Sequence, residues 1–228
     1  MIGAFMYFCL WLPLNIMRRI YWRWEVDGLA NLPPKGTGIV LASNHLYWFD
    51  ILMIGASLPL SRRPHWLGKS ELFSNPVVSW WLRTMGVIAI KRGQRDLAAL
   101  QDAEQALRDG ALLIVFPEGH RSKTGGLIEG RGGAVRLAAS SGAVIVPTAL
   151  WGTEKGLAGL MRRNAVHIRF GPAFQAERAS DSIASEKMSR LTTDLMLKIA
   201  ELLPEGYRGI YRDQQDQRRR RQAVGSPE

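Results

Sequence analysis

The chain alternates short, wholly apolar runs with longer stretches in which apolar residues recur every three or four positions, the pattern that separates buried strands from amphipathic helices. Trp24–Asp27 reads as a first strand, followed by Gly28 and the turn-rich Asn31-Leu32-Pro33-Pro34-Lys35-Gly36. Gly38-Ile39-Val40-Leu41-Ala42 is a buried strand, and Ile51-Leu52-Met53-Ile54-Gly55 continues a helix that starts near Asp50. Ser61-Arg62-Arg63-Pro64 forms a basic loop, from which His65-Trp66-Leu67-Gly68 leads into Lys69-Ser70-Glu71-Leu72-Phe73. Gly86–Ile90 is a strand ending in Lys91-Arg92-Gly93. Gln94–Asp109 has helical spacing, with Leu97, Leu100 and Leu107 on one side and Gly110 closing it. Ala111–Val115 is a third buried strand, Gly132–Ala139 a small-residue helix, Ala143–Leu150 a strand and Val166–Phe170 a last short strand. Ser182–Leu203 is an amphipathic helix with Ile183, Met188, Leu191, Leu195 and Ile199 inward. Strands and helices alternating in this way predict an α/β domain.

The apolar pattern breaks off at Ser43-Asn44-His45-Leu46-Tyr47-Trp48-Phe49-Asp50, where ionisable side chains gather. Histidine can take a proton from an alcohol as it attacks, and a carboxylate can hold the ring in the right tautomer and stabilise its charge. Residues five apart point roughly 140° away from each other on a helix and to opposite faces of a strand. His45 and Asp50 therefore meet only if the backbone bends between them, as a strand ending near Asn44 and a helix starting near Asp50 would allow. The plainer alternative is a helix cap at Asp50 and a loop histidine satisfied by backbone.

The second informative stretch is Phe116-Pro117-Glu118-Gly119-His120-Arg121-Ser122-Lys123-Thr124-Gly125, which opens from a buried strand. Glycines allow close backbone approach, Ser122 and the amides can donate, and Arg121 offers a planar fork suited to phosphate. An ordinary polar turn has a similar composition. Lys91 and Arg92 place two cations at another strand end, where open α/β sheets hold ligands. Gly68-Lys69-Ser70 is not a phosphate-binding P-loop, because Arg63 stands where that motif needs glycine; Lys69 is retained as a charge. His167 alternates with apolar residues and reads as structural.

At 228 residues the chain is long enough for one well-buried domain and too short for two large ones. A net charge of +10 points to an anionic partner, and Trp11, Trp22 and Trp24 beside arginines favour a membrane interface among the possibilities. The lone Cys9 excludes an intramolecular disulfide and a cysteine-based zinc cluster, and is compatible with a reducing, cytosol-facing location. Residues 1–17 carry no charged side chain, and Arg18, Arg19 and Arg23 follow before any acid. Pro13 and Asn15 interrupt the run, so it is expected to lie in one leaflet as an interfacial helix rather than to span; a helix packed on the domain is the alternative. Three parts result: an N-terminal membrane-associating helix at 1–24, a domain at 25–203, and a basic, disordered tail at 204–228 ending in Arg218-Arg219-Arg220-Arg221. No recognition-helix pattern, zinc spacing or RNA-binding aromatic signature accompanies the arginines, so nucleic acid is not an expected partner.

Four blocks in fixed order resemble the glycerolipid acyltransferases, the family of 1-acylglycerol-3-phosphate acyltransferases: Asn44-His45 with Asp50, Gly86 through Arg92, Phe116 through Ser122, and Ile145-Val146-Pro147-Thr148. The resemblance runs from about Val26 to Pro172. It implies a glycerol-3-phosphate acyltransferase-like fold, a single domain with a mixed, mostly parallel β-sheet flanked by helices. It implies transfer of a fatty acyl group from acyl-CoA or acyl-carrier protein, as co-substrates without a cofactor, to the free hydroxyl of 1-acyl-glycerol-3-phosphate, giving phosphatidic acid at the cytoplasmic face of the cell membrane. By the same resemblance His45 is the general base, Asp50 its orienting carboxylate, and no acyl-enzyme forms. Lys69, Arg92, Glu118, Gly119, Arg121 and Ser122 fall at positions tied to the acceptor phosphate, with Glu118 expected to orient an arginine or a hydroxyl. Tyr47, His120 and Gly130-Arg131-Gly132 depart from the family pattern and leave other lyso-lipids or non-phosphate acceptors open. A metal-dependent hydrolase using His45, Asp50, Glu118 and His120 as ligands is the alternative from another class.

Overall fold

The structure, a computed structural model, describes residues 2–91, 96–176 and 185–214. Its strands are β1 (Trp24–Asp27), β2 (Ile39–Ser43), β3 (Pro64–Lys69), β4 (Val87–Ile90), β5 (Leu112–Val115), β6 (Val144–Trp151), β7 (Val166–Phe170) and β8 (Phe174–Gln175). They form one sheet in the order β1-β7-β6-β2-β5-β3-β4, with β8 paired to β6. Only the pairings of β6 with β7 and β8 are antiparallel. The α/β class is as the alternation of strands and helices predicts, and the mostly parallel sheet is as the family resemblance implies.

The helices are α1 (Ile2–Ile20), α2 (Asp50–Ser57), α3 (Pro76–Thr84), α4 (Leu97–Arg108), α5 (Gly133–Ser141), α6 (Gly156–Met161) and α7 (Ser185–Leu202). β2 shows why the apolar runs are continuous. Val40 and Ala42 pack into a core with α4, α5 and α7, whereas Ile39 and Leu41 pack into a second core with α1 and α2. A strand covered on both faces has no polar side to show. β2 is also the centre of the sheet, with β5 on one side and β6 on the other. The chain crosses β2 between these neighbours, so the crevice beyond the strands' carboxyl ends is a topological switch point.

α1 is docked on the domain along one face. Tyr7 and Trp11 donate to the carbonyls of Gly55 and Leu58, at 2.8 and 2.9 Å, and the Asn15 amide donates to Ala56 O at 2.9 Å. One helix thus supplies, at four-residue intervals, the donors that the last turn of α2 lacks. The other face of α1 presents Ile2, Phe5, Phe8, Leu12, Ile16 and Ile20 to solvent. Among the described residues no helix is long and apolar enough to cross a membrane.

Several elements depart from the sequence reading. Pro64–Lys69 is a strand between β4 and β5 rather than a loop and lead-in. Pro64, His65 and Gly68 hide it, and only Pro64 and Trp66 are buried. Residues 204–214, expected within a disordered tail, pack on the domain: Tyr211 is buried and its hydroxyl accepts the Gly130 N–H at 3.1 Å, while Leu127 exchanges backbone bonds with Tyr207 and Ile210. α3, α6 and β8 occupy stretches to which the sequence reading assigned no element. The four arginines of the tail lie outside the described residues.

Candidate active site

Every peptide around His45 is held. β2 delivers Asn44, whose buried side-chain amide clamps β6 by donating to Leu150 O (2.7 Å) and accepting Leu150 N–H (2.8 Å). The next residue, His45, has its N–H bound by the Glu118 carboxylate at 2.9 Å and its carbonyl bound by the Ser122 N–H at 2.8 Å. The chain then bends through residues 46–49 and enters α2 at Asp50, as the spacing of the pair requires.

Asp50 is fully buried, yet its carboxylate does not cap its own helix. Oδ2 turns back to meet three nitrogens, accepting Leu46 N–H at 2.6 Å and Tyr47 N–H at 2.8 Å and lying 2.8 Å from His45 Nδ1. With two backbone N–H groups already on that oxygen, the hydrogen between the two side chains is assigned to Nδ1, which leaves the imidazole lone pair on Nε2. The first turn of α2 adds positive partial charge beside the carboxylate. Phe116, at the end of β5, stacks on the imidazole with ring centroids 4.0 Å apart and planes 18° from parallel, so the ring cannot swing away from Asp50 without losing that contact.

Glu118 is 1% exposed. Its partners are backbone N–H groups, His45 through Oε1 and Ile128 through Oε2 (3.4 Å), rather than the arginine or hydroxyl expected from the sequence. Burial pushes its carboxyl up to about 7, against the pull of these two N–H groups and with a smaller push from Asp50. Gly119 follows at φ +74°, a left-handed conformation suited to glycine, and a Cβ there would press on the Arg131 side chain at 3.1 Å. Ser122 is buried and donates its hydroxyl to Gly126 O at 2.6 Å, closing the loop on itself.

A cavity of about 240 Å³ opens beside this assembly. Its apolar walls include Ile51, Trp66, Leu67, Ile90 and Ile114, and its polar groups are His45, Lys91, Gly119 and Arg131. Arg121 lies instead in an adjoining concavity with Leu46, His120, Ser122 and Lys123. Lys69 is exposed at the end of β3, paired in register with Ile90, the residue before Lys91. Arg92 lies outside the described residues. Lys91 and Arg131 were missing from the sequence-derived set. The first was visible as a strand-end cation; the second reaches the cavity only because Arg131 N–H binds Pro117 O at 2.7 Å, a contact that residue spacing does not announce. Tyr47, one of the departures from the family pattern, points to Gly156 and is not part of the cavity wall. The four residues of the metal alternative are not brought together as ligands. Both oxygens of Glu118 hold backbone, His120 is exposed with Nδ1 near its neighbour's carbonyl, and among the described residues no three His, Cys, Asp or Glu side chains stand close enough to hold an ion.

A half-buried imidazole backed by a fully buried carboxylate and opening on a cavity with two cations, at the switch point of a mostly parallel sheet, is the equipment of an acid–base enzyme for an anionic substrate. The chain belongs to the Acyltransferase family, which it matches over residues 23–151. It is 31% identical over 187 residues to a 1-acyl-sn-glycerol-3-phosphate acyltransferase of Pseudomonas aeruginosa, covering 80% of this chain and 71% of that protein. It is 30% identical over 194 residues to the chloroplastic 1-acyl-sn-glycerol-3-phosphate acyltransferase LPAT1 of Arabidopsis thaliana, covering 82% of this chain and 53% of that protein. With 55% coverage of a similar chloroplastic enzyme of Brassica napus, the chain spans about half the length of these two plant relatives. Its fold is like that of the 1-acyl-sn-glycerophosphate acyltransferase PlsC of Thermotoga maritima, with a TM-score of 0.58 at 24% identity over 76% of this chain and 69% of that one.

Proposed function

We propose that this chain is an O-acyltransferase that moves a fatty acyl group from the thioester of acyl-CoA or acyl-carrier protein to the free hydroxyl of 1-acyl-glycerol-3-phosphate, giving phosphatidic acid. The observation that carries the reading is the imidazole of His45, pinned through Nδ1 by Asp50 and lining a cavity that has both apolar walls and cations. As the acceptor oxygen attacks the thioester carbonyl carbon, its proton passes to Nε2, and Asp50 stabilises the imidazolium. The tetrahedral adduct collapses by breaking the C–S bond, and the thiolate leaves with the proton from Nε2. The two substrates supply every atom of this step, and no acyl-enzyme is needed. Lys91 and Arg131 are placed to receive the acceptor phosphate, with Arg121 in the adjoining concavity as a further cation; Gly119 admits the ligand close to the backbone. Glu118 and Ser122 serve by holding the His45 peptide.

The same reading puts the chain on a membrane. The outward stripe of α1 is apolar, and Arg19, Arg23, Arg162 and Arg163 are exposed about its C-terminal end, where Tyr21 donates to Met161 O at 2.7 Å and the Arg163 guanidinium lies 5.6 Å from the Tyr21 ring. Such a helix lies at headgroup depth with cations toward anionic lipid. The thioester donors place it on the cytoplasmic face. Incubation of the protein with a panel of lyso-lipids and both donors, with products identified by mass, tests the reaction. His45→Ala is expected to abolish transfer in a folded protein, and a fully active His45→Ala enzyme would sink the assignment.

A further inference from the structure

α3 is a helix without a core. Among the described residues none of its nine side chains is buried, although Val77, Val78, Trp80 and Trp81 are apolar. Val77 is 73% exposed, Trp80 55% and Trp81 43%. A helix this short is marginal in water by itself and depends on covering an apolar face. Only three of its residues are half-buried, Ser79 and Leu82 on its inner side and Thr84 at the end that meets α1. Val77, Trp80 and Trp81, at i, i+3 and i+4, share the opposite side. The helix is nonetheless well specified: the Asn75 side chain caps it by accepting the N–H groups of Val77 and Val78, and Pro76 occupies its first position. It carries no acid, and Arg83 stands in its last turn.

The position of α3 suggests what covers it. A Cβ built on Gly3 would run into the Thr84 carbonyl and the Arg63 guanidinium, so the start of α1 lies directly against the end of α3, with a cation at the junction. The solvent-facing apolar stripe of α1 begins there, at Ile2 and Phe5. Tryptophan is the residue type that favours the half-wet zone of a bilayer, and a basic rim suits anionic headgroups.

We propose that α3 is a second membrane-contacting element, inserting Val77, Trp80 and Trp81 into an anionic phospholipid bilayer beside α1, with Arg63 at the junction of the two helices toward the phosphates. This rests on the reading of α1 as an interfacial helix. It also places the bilayer near the site, because α3 packs against β4, and Lys91, which follows β4, lines the cavity.

The lone Cys9 is exposed on α1 and gives an independent reporter for each helix. An environment-sensitive NBD label on Cys9 reads α1; the same label on Trp81→Cys, in a Cys9→Ser background, reads α3. With vesicles of phosphatidylcholine and phosphatidylglycerol both labels are expected to shift to the blue and brighten. Trp80→Ser with Trp81→Ser is expected to weaken vesicle binding of the otherwise unchanged chain by roughly tenfold or more, with an unaltered circular dichroism spectrum. A shift at Cys9 with none at Trp81→Cys overturns the inference and leaves the reading of α1 standing. No shift at either removes the membrane reading, and the inference with it. A response at Trp81→Cys that needs no vesicles and follows protein concentration, or that appears only with acidic acyl-carrier protein, also overturns the proposal, in favour of a second copy or of that carrier.

Discussion

Glu118→Gln and Glu118→Ala separate a carboxyl that builds the site from one that touches the substrate. The alanine variant strands two buried N–H groups, those of His45 and Ile128, at about 1–3 kcal/mol each, so it should lose about 2–6 kcal/mol of stability. That is a large part of the 5–15 kcal/mol a domain typically has. It also frees the peptide that aims the imidazole, so kcat should fall. Glutamine keeps an oxygen on the shorter bond, 2.9 Å to His45 N, and gives up only the 3.4 Å bond to Ile128. It should retain most of the stability and activity, and it removes an ionisation. Between 4.5, the ordinary value, and about 7, the folded chain holds a proton on Glu118 that the unfolded chain has released. Stability should therefore fall as pH rises through that window, by about 3 kcal/mol in all, and level off above it. Glu118→Gln should flatten this slope. Urea unfolding across the window, with kcat and KM measured in parallel, tests each point. A glutamine variant as stable as the parent but as inactive as the alanine variant would refute the positioning role and put Glu118 in contact with the reacting groups.

Asp50→Asn should leave a folded protein, since an amide oxygen can still take the Leu46 and Tyr47 N–H groups, while kcat falls by roughly 10²–10⁴ for want of a charge behind the imidazolium; unchanged kcat in steady-state assays would remove Asp50 from the mechanism. Asn44→Ala unpairs the buried N–H and carbonyl of Leu150 and should lower stability by about 2–4 kcal/mol in urea unfolding, whereas an unaltered midpoint would show that the clamp between β2 and β6 is dispensable. Arg131→Ala should raise KM for a phosphate-bearing acceptor with little change in kcat, and a loss confined to kcat would argue against a binding role.

How much of this is legible in the sequence depends on whether partners are near in the chain. β2 is legible because both of its faces are buried and every residue is apolar or small. The meeting of His45 and Asp50 is legible because five residues leave few ways to bend. β3 is hidden because proline, histidine and glycine interrupt it and because its burial comes from neighbours contributed by distant segments. Glu118 was misassigned for the same reason. Its sequence neighbours are His120 and Arg121, but its partner at His45 is 73 residues away and is a backbone N–H, which has no side-chain signature.

That pattern divides the site into two kinds of residue. Asn44, Glu118, Ser122 and Asp50 all end on backbone groups, and together they fix the peptides on both sides of His45. Groups so occupied have little left to offer a ligand, so they set the geometry of the base rather than the identity of the acceptor. The groups facing the cavity come from elsewhere: Lys91 from the end of β4, Gly119 from the loop after β5, Arg131 from the approach to α5, and the apolar walls from α2, β3, β4 and β5. Tyr47, which the sequence offers as the obvious determinant of acceptor choice, is turned to α6 and sits on neither side of this division. For the proposed reaction, selectivity among acceptors is to be sought at Lys91 and Arg131, where exchange of a cation alters what the cavity attracts without disturbing the bonds that hold His45.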